Sequence, residues 1–402
     1  MLPQFREQFR KQLRKQFRNF CATHSHSENA GVTRATTPAR TRAMTVLAFL
    51  LVLTSARVLR ADSVNTSKRT VTKLADGVYE IRHPDAPDTF PQGNTLVVIG
   101  TSSVLVVDSC YLQSSAREDI AQIREWTDKP VRFLVNTHEH GDHNFGNRAY
   151  ADAFPAISII AQKETLRTMK LRQPPFVEQY RDRVTRFQNE LATGKDPAGN
   201  TLTELSRADL RTAITGSEAV WPEFRNLKLR FPDMTFEKEM DIDLGDRRVE
   251  LKYLGLGNTV GDAVVYLPAE RILATGDLVD SPVPYLGGGF PVAQIDTLKR
   301  MLQLDADTIV PGHGEVLKGK AFVEMEVAFL EAVTRAITDE IGRSGATAHR
   351  RLPEIKAAVA KNAGIDSWRQ KFAGDDPENR DFFDGFALTG VVEAGHAELW
   401  PQ

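Results

Sequence analysis

The chain has 402 residues, 41% of them hydrophobic and 26% charged, which is the composition of an ordinary globular protein. Lys and Arg number 51 against 53 Asp and Glu, giving a net charge of -2, so no nucleic-acid partner is expected. Only two cysteines are present, Cys21 and Cys110, which excludes a disulfide framework and a thiolate-rich zinc finger.

Residues 1–43 form a basic N-terminal extension. Within it Phe5, Phe9, Leu13 and Phe17 recur every four positions among Arg and Lys residues. At helical pitch this pattern indicates a basic amphipathic stretch, of the kind that lies on membranes or targets organelles. Alternatively, translation starts at the later methionine that begins the next segment, and these residues are an upstream extension.

Residues 44–56 have the pattern of a secretory signal peptide. Arg40 and Arg42 precede an apolar run, residues 45–53, and three small residues follow that run. The run is far shorter than the ~20 residues that span a bilayer. We expect cleavage near Arg57 and export to the periplasm or the medium, with no stable membrane span in the mature chain. An uncleaved N-terminal anchor is the alternative.

Short β-branched runs alternate with helical patterns from Val71 onward. The predicted strands are GVYEIR, TLVVIG, SVLVVDS, VRFLVNT, AISIIA, VELKYLGLG, DAVVYLP, RILATGD and DTIVPGHG. A polar segment, residues 162–217, is mostly helical in pattern, and a long amphipathic helix is predicted between Phe322 and Ile341. We therefore expect an α/β domain over residues 68–320 with a helical insert, followed by a helical C-terminal extension over residues 321–402.

Metal-ligand side chains follow several of these strands, next to glycines that permit sharp turns. The richest segment is NTHEHGDHNFGN, residues 136–147. Since sites in α/β folds assemble at the carboxyl ends of strands, these side chains are expected to converge. Imidazole and carboxylate groups without a thiolate suit zinc, iron or manganese. The candidate ligands are His138, His140, Asp142, His143, Asp277 and His313.

With these segments in this order, the sequence resembles the metallo-β-lactamase superfamily. THEHGDHNFG matches the HxHxDH signature, ATGD supplies the aspartate motif and PGHG the last histidine, while GNTVGD stands where the family has GHTxGD. Asp108 falls where members often carry an aspartate. The resemblance covers about residues 71–320 and implies an αββα sandwich with metal ions at one edge between two sheets.

The resemblance also implies ligand roles. His138 and His140 would hold a first metal ion, and Asp142, His143 and His313 a second. One or two zinc ions are expected, with iron or manganese as alternatives. A metal-bound hydroxide would attack an ester, thioester, lactone or amide (β-lactams included) of a small-molecule substrate, with Asp142 orienting or deprotonating the water.

Asp277 would bridge the two ions. The antibiotic-degrading subclasses mostly carry Cys or Ser at this position, whereas aspartate is usual in the glyoxalase II, lactonase, thioesterase and phosphodiesterase branches. The aspartate therefore counts against a dedicated β-lactamase and is glyoxalase II-like, whereas the signal peptide favours an exported enzyme. Together they predict an exported hydrolase of the superfamily whose substrate the sequence leaves open.

Asn258 departs from the family pattern, because the GHTxGD motif has a histidine there. An Asn amide oxygen is a weaker zinc ligand than imidazole, so Asn258 is either a weak ligand or water contact, or a turn residue. Asp262 is expected to support a ligand from behind, and Tyr285, on a Pro/Gly-rich loop, to wall the pocket.

Two other functions remain open from the sequence. A single iron ion held by two histidines and a carboxylate would suit a sulfur-dioxygenase-like enzyme. Loss of the histidine at position 258 would instead suit a non-catalytic binding protein with a decayed site.

Overall fold

A computed structural model of the chain describes residues 69–88, 90–195, 201–202, 204–343 and 352–400. The predicted basic extension and signal peptide lie outside these residues. Among the described helices, none combines the length and the apolar character needed to cross a membrane.

Thirteen strands are present in the described residues. They are β1 Thr70–Ala75, β2 Val78–Arg82, β3 Thr95–Ile99, β4 Val104–Val107, β5 Val131–Asn136, β6 Ser158–Gln162, β7 Met234–Phe236, β8 Glu239–Asp243, β9 Arg248–Tyr253, β10 Ala263–Leu267, β11 Ile272–Asp280, β12 Thr308–His313 and β13 Leu317–Lys318.

The described residues also form ten α-helices. They are α1 Gln113–Trp126, α2 Asn147–Ala153, α3 Lys163–Thr193, α4 Glu204–Arg225, α5 Pro291–Met301, α6 Ala321–Arg343, α7 Leu352–Asn362, α8 Ile365–Ala373, α9 Pro377–Phe382 and α10 Leu388–Leu399, with a 3-10 turn at Gly141–His143 and a π-helical turn at Phe383–Ala387.

Two mixed sheets form the centre of the fold. One has seven strands in the order β1-β2-β3-β4-β5-β6-β7, and the other has six in the order β13-β12-β11-β10-β9-β8. Their facing sides share one apolar cluster, which includes Leu96 and Leu105 from the first sheet and Leu251 and Val265 from the second. Two hydrophobic faces that bury each other in this way make a sandwich. The predicted α/β sandwich is confirmed.

Helices cover the outer face of each sheet. Ile120 and Ile123 of α1 pack against Val104 and Val106 of β4. On the other side, the apolar faces of α5 to α8 and of α10 join residues of β10 and β11 in one large cluster. The C-terminal extension therefore belongs to the outer core of the second sheet, in addition to being helical as predicted.

The end of β11 differs from the expected strand-then-turn pattern. β11 continues past Asp277 to Asp280, paired in parallel with β12, and its register shifts on either side of Gly276. Gly276 has a left-handed φ of 52°, which a residue without Cβ adopts at little cost. The irregularity turns Asp277 toward the edge of the sandwich while the strand continues.

The chain divides into two compact units by its internal contacts. One comprises Pro84–Pro91 and Leu171–Lys228, and the other Arg69–His83, Gln92–Lys170 and residues 229–400. In the first unit the Tyr180 hydroxyl donates to Asp88 over 2.9 Å, and its ring stacks on Phe224 at 4.0 Å. This unit contains most of the segment that the sequence predicts as a helical insert.

Substitution of Phe329 in α6 tests how the C-terminal extension packs. Its ring is fully buried and contacts Trp368, Phe372 and Phe383 at centroid distances of 5.8, 5.4 and 5.7 Å. Phe329→Ala leaves a cavity and should lower the free energy of unfolding by about 3–5 kcal/mol. Urea unfolding followed by fluorescence measures this.

Phe322 on the same helix is only partly buried and provides the matched control, since Phe322→Ala should cost less. Equal losses in both variants would contradict the packing described for Phe329.

Candidate metal centre

The histidine-rich turn is closed by its own two ends. Asn136 ends β5 and Asn147 begins α2, and their amide groups exchange hydrogen bonds of 2.8 and 3.0 Å. Between them, the 3-10 turn Gly141–His143 reverses the chain. The reciprocal amide pair therefore fixes the turn as a rigid loop whose side chains project toward the edge of the two sheets.

One oxygen of Asp277 faces the predicted first metal position. His138 Nε2 lies 3.2 Å from Asp277 Oδ2, and His140 Nδ1 lies 3.9 Å from the same oxygen. One ligand atom from each of these three residues falls within 4.8 Å of the others. The structure thus brings together two imidazoles and a carboxylate.

The other oxygen of Asp277 faces the predicted second position. His143 Nε2 lies 2.9 Å and His313 Nε2 3.7 Å from Asp277 Oδ1, while Asp142 Oδ2 is 3.1 Å from His313 Nε2. These four residues also fall within the 4.8 Å limit. Asp277 stands between the two groups with one oxygen toward each, which is the placement that a bridging carboxylate needs.

Asp108 supports a histidine from each group. Its Oδ2 accepts hydrogen bonds from His143 Nδ1 (2.9 Å) and from the Thr137 hydroxyl (2.7 Å), and its Oδ1 accepts from the Thr137 backbone N–H (2.8 Å). The Thr137 oxygen in turn accepts from His138 Nδ1 at 3.0 Å. With the proton held on Nδ1, both Nε2 atoms present a lone pair to the centre. Sequence reasoning did not identify Thr137.

Charge in the centre is concentrated on two carboxylates. Burial alone would raise the pKa of Asp142, but the charge of His143, together with the hydrogen bond and charge of His313, outweighs burial and brings the pKa to about 2. For Asp277, too, burial is overcome by His143, His138 and His313, and the pKa lies well below its ordinary value. Both groups are therefore negatively charged at neutral pH.

Asn258 and Asp262 lie in the turn before β10. Asn258 is buried, and neither amide atom makes a hydrogen bond within the described residues. Asp262 accepts from the N–H and the hydroxyl of Thr259, both at 2.8 Å. Burial raises the pKa of Asp262 to about 6, while the charge of His138 opposes the rise. The turn is thus held by Asp262, and the Asn258 amide has no hydrogen-bonding role in it.

These residues fit a divalent metal ion. The Asn258 amide nitrogen and oxygen are buried, and neither makes a hydrogen bond to another described residue. Buried polar atoms are normally paired, so this group calls for an external partner. Nitrogen and carboxylate donors without a thiolate match zinc, manganese or iron.

A second acidic group lies beside the centre, and sequence reasoning missed it. Asp280, three residues beyond Asp277 on the same strand, is buried, and no described residue donates a hydrogen bond to it. Burial raises its pKa well above the usual range, and the charge of Asp277 acts in the same direction. Glu326 of α6, nearby, also has its pKa raised by burial.

Cys110 and His83 form a buried cluster with Asp119. His83 Nε2 lies 2.9 Å from Asp119 Oδ2, Cys110 Sγ is 3.4 Å from that oxygen, and Arg69 donates to Asp119 Oδ1 over 2.9 Å. Burial lowers the pKa of His83, but the charges and hydrogen bonds of Asp119 and Cys110 together outweigh burial and raise the pKa well above 6.5. As expected from the sequence, Cys110 is a buried residue, and the partners of His83 come from distant parts of the chain.

Gly93 links this cluster to the centre. The protonated His83 Nδ1 donates to the Gly93 carbonyl over 3.0 Å, and the Gly93 N–H donates to the Asp142 carbonyl over 3.1 Å. A Cβ at position 93 would lie only 2.4 Å from Cε1 of His143. The backbone at Gly93 therefore packs directly on the His143 ring.

Tyr285 lies on the loop that follows β11. It is half-buried, and its ring centroid is 6.0 Å from that of Phe382 in the C-terminal extension.

Comparison with known proteins identifies the class to which this fold and this centre belong. The family model described as the metallo-beta-lactamase superfamily matches residues 88–313, more than half of the chain. The chain belongs to the metallo-β-lactamase superfamily, and the sequence-based prediction is confirmed at this level.

Two curated relatives are similar to this chain in sequence. The chain is 25% identical over 232 residues to a linear primary-alkylsulfatase from Pseudomonas sp., covering 55% of this chain and 41% of that protein. It is 26% identical over 224 residues to the 2,4-dinitroanisole O-demethylase subunit alpha of Nocardioides sp., covering 54% and 52%. The chain thus spans about half the length or less of these relatives.

A solved structure shows the same fold. The inverting sec-alkylsulfatase Pisa1 from Pseudomonas sp. superposes with a TM-score of 0.56 at 14% identity, covering 82% of this chain and 50% of that one.

Asp108→Asn tests the support of both imidazoles by one carboxylate. The substitution keeps the shape but removes the charge that accepts from Thr137 and His143, so the affinity for zinc should fall by about 10–100-fold. Competition with a chelating dye of known affinity measures it, and circular dichroism checks the fold.

Asp152→Asn, on the exposed face of α2, removes a carboxylate that pairs with Arg148 and is the matched control. An unchanged zinc affinity in Asp108→Asn would show that the two ligands are oriented without this carboxylate.

Proposed function

We propose that the protein is a metal-dependent hydrolase that cleaves the ester bond of a small molecule, with a sulfate ester of an alkyl or aryl alcohol as the first substrate class to test. The observation that carries the proposal is the convergence of two ligand groups on opposite oxygens of Asp277. The relative named as a linear primary-alkylsulfatase supports the sulfate ester. Carboxylic esters, thioesters, lactones and β-lactams form the comparison panel.

The proposed ligand assignment follows the distances. His138, His140 and Asp277 would hold one ion, with the Asn258 amide oxygen as a weak fourth contact. Asp142, His143, His313 and the second oxygen of Asp277 would hold the other. When bound, divalent metal ions supply Lewis-acid polarisation of the ester and lower the pKa of water.

Asp142 and Asp108 have different roles in the proposed reaction. With a pKa near 2, the Asp142 carboxylate stays ionised, so it accepts a hydrogen bond from water and orients it, and is too weak a base to remove a proton efficiently. Asp108 keeps the His138 and His143 tautomers fixed. Addition of water across the ester bond releases the alcohol and the acid.

Charge makes substrate binding depend on metal loading. The ionised Asp142 and Asp277 repel an anion such as a sulfate ester in the absence of cations. Activity should therefore be lost on treatment with a chelator and restored by zinc or manganese.

Export completes the proposal. We infer that the enzyme acts outside the cytoplasm, because residues 44–56 combine a positive flank, a short apolar run and small residues. Signal cleavage in an expressing cell, followed by N-terminal sequencing, tests it.

His143→Ala tests the catalytic centre. Loss of one ligand, and of the contact to Asp108, should lower turnover of the best substrate by at least about two orders of magnitude. Turnover and metal content per chain are measured together, and His396→Ala, on α10 and in neither ligand group, is the control. Normal turnover in His143→Ala would refute the mechanism.

Asn258→His tests the weak first position. Imidazole binds zinc more strongly than an amide oxygen, so the variant should retain more metal per chain after dialysis than the natural protein. Elemental analysis measures the content, and Asn258→Ala is the control that removes the amide without replacing it.

Three experimental outcomes distinguish the candidate functions. Hydrolysis by the zinc-loaded protein supports the proposal. Iron-loaded, coloured protein that consumes oxygen would favour the two-histidine, one-carboxylate iron enzyme. A gain of metal in Asn258→His without activity on any member of the panel would favour a binding protein.

A further inference from the structure

The loop between β11 and α5, residues 281–290, is tied at both ends to the candidate centre. At its start, the Ser281 N–H donates to the carbonyl of His313 over 3.1 Å. At its end, the Phe290 N–H donates to the carbonyl of Gly257 over 2.7 Å. A Cβ at Gly289 would lie 3.0 Å from Cα of Asn258, so the two backbones are in contact. The loop therefore runs from one proposed metal position to the other.

The C-terminal extension holds the middle of this loop. Leu286 is fully buried, and its carbonyl would lie 2.9 Å from a Cβ placed on Gly390 of α10. Val283 is buried as well. These contacts pack the loop against α10, and Tyr285, between the buried Pro284 and Leu286, is half-buried.

The ring of Tyr285 lies next to a pair of stacked aromatic rings in the C-terminal extension. Its ring centroid is 6.0 Å from that of Phe382, and Phe382 stacks with Phe386 at 5.4 Å and an interplanar angle of 20°. We call these three residues the aromatic cluster. It combines a loop anchored at both metal positions with the turn between α9 and α10.

The aromatic cluster presents apolar surface to solvent. Phe382 is 37% exposed, one of four large hydrophobic residues exposed in the described part of the chain. The flanking charged groups are engaged elsewhere, since Arg380 pairs with Asp375 and Asp384 with Arg369. The loop of residues 281–290 connects this apolar surface to the polar centre. Ligand sites combine apolar surface with a few polar groups to hold an organic group next to a reacting bond.

We propose that the aromatic cluster binds the organic group of the substrate, an uncharged alkyl or aryl chain, while the ester bond lies at the candidate metal centre. The inference rests on the proposed function for the ester bond itself. Tyr285, Phe382 and Phe386 are then specificity residues, and the C-terminal extension supplies two of the three rings.

The arrangement favours a flexible or planar apolar group over a charged one. Aromatic faces bind apolar chains by dispersion and by removal of surface from water. Each CH₂ that becomes fully buried on binding strengthens it by up to about fourfold. The specificity constant should therefore rise along a homologous series until the chain outgrows the cluster.

The test is a chain-length series on the metal-loaded, full-length protein. Primary alkyl sulfates from butyl to decyl are supplied below their micelle concentrations, and kcat and KM are measured for each. For the natural protein, kcat/KM should rise with length. In Phe382→Ala the octyl-to-butyl ratio of kcat/KM should fall by at least about tenfold, chiefly through KM. Phe382→Leu should recover part of the ratio.

Met234→Ala is the matched control. Met234 lies on β7, at the edge of the seven-stranded sheet, and is 42% exposed, similar to Phe382. Its removal should leave the length dependence unchanged. A ratio in Phe382→Ala equal to that of the natural protein would overturn the inference, and so would the absence of any length dependence in the natural protein.

Binding of octane-1-sulfonate, which cannot be hydrolysed at an ester, separates this inference from the proposed function. If no alkyl sulfate is turned over but calorimetry shows octane-1-sulfonate binding that Phe382→Ala weakens about tenfold, the aromatic cluster stands and the sulfatase activity fails. If Phe382→Ala instead changes only the molar mass in solution, the cluster is an interface between two copies of the chain, and the inference is wrong.

Discussion

One carboxylate, Asp108, determines the orientation of the candidate centre. It accepts from His143 directly and from His138 through Thr137, so the two proposed metal positions share a single anchor on β4. Without that anchor each imidazole could rotate or take the other tautomer, and its lone pair would be lost from the centre. Two other features position the remaining ligands. The register shift of β11 presents Asp277, and the turn between Asn136 and Asn147 presents the histidines whose orientation Asp108 sets.

The position of this centre follows from the sandwich. β5 and β11 lie in different sheets, and each ends at the same edge of the shared apolar core. Because the two sheets bury each other, the turn after β5 and the bulge of β11 are held at fixed separation. The acidic residues gathered there are costly in a metal-free protein. A metal ion that binds these carboxylates in the folded state would therefore stabilise the fold.

The strands and the ligands at their ends could be predicted from local sequence, whereas contacts between residues far apart in the chain could not. Nine of the strands were visible as β-branched runs, and the six candidate ligands stood at strand ends in a recognisable order. β1 and β8 escaped because they are polar and largely exposed, and β7 because it has three residues. At the site, the pairing of His83 with Asp119 joins positions 36 residues apart. The buried Asp280, and Thr137 between Asp108 and His138, carry no sequence pattern that marks their partners.

Gly93 has a consequence for how this protein can change over generations. Its backbone touches the His143 ring, bonds to Asp142 and receives a hydrogen bond from His83, so every other amino acid would push a side chain into a proposed ligand. Position 312 likewise has no room for a side chain, since a Cβ there would lie 2.0 Å from Asp277 Oδ1. Asn258, by contrast, has buried amide atoms that no described residue satisfies. A substitution at position 258 therefore removes no hydrogen bond to a described residue, whereas a side chain at position 93 or 312 would meet a proposed ligand.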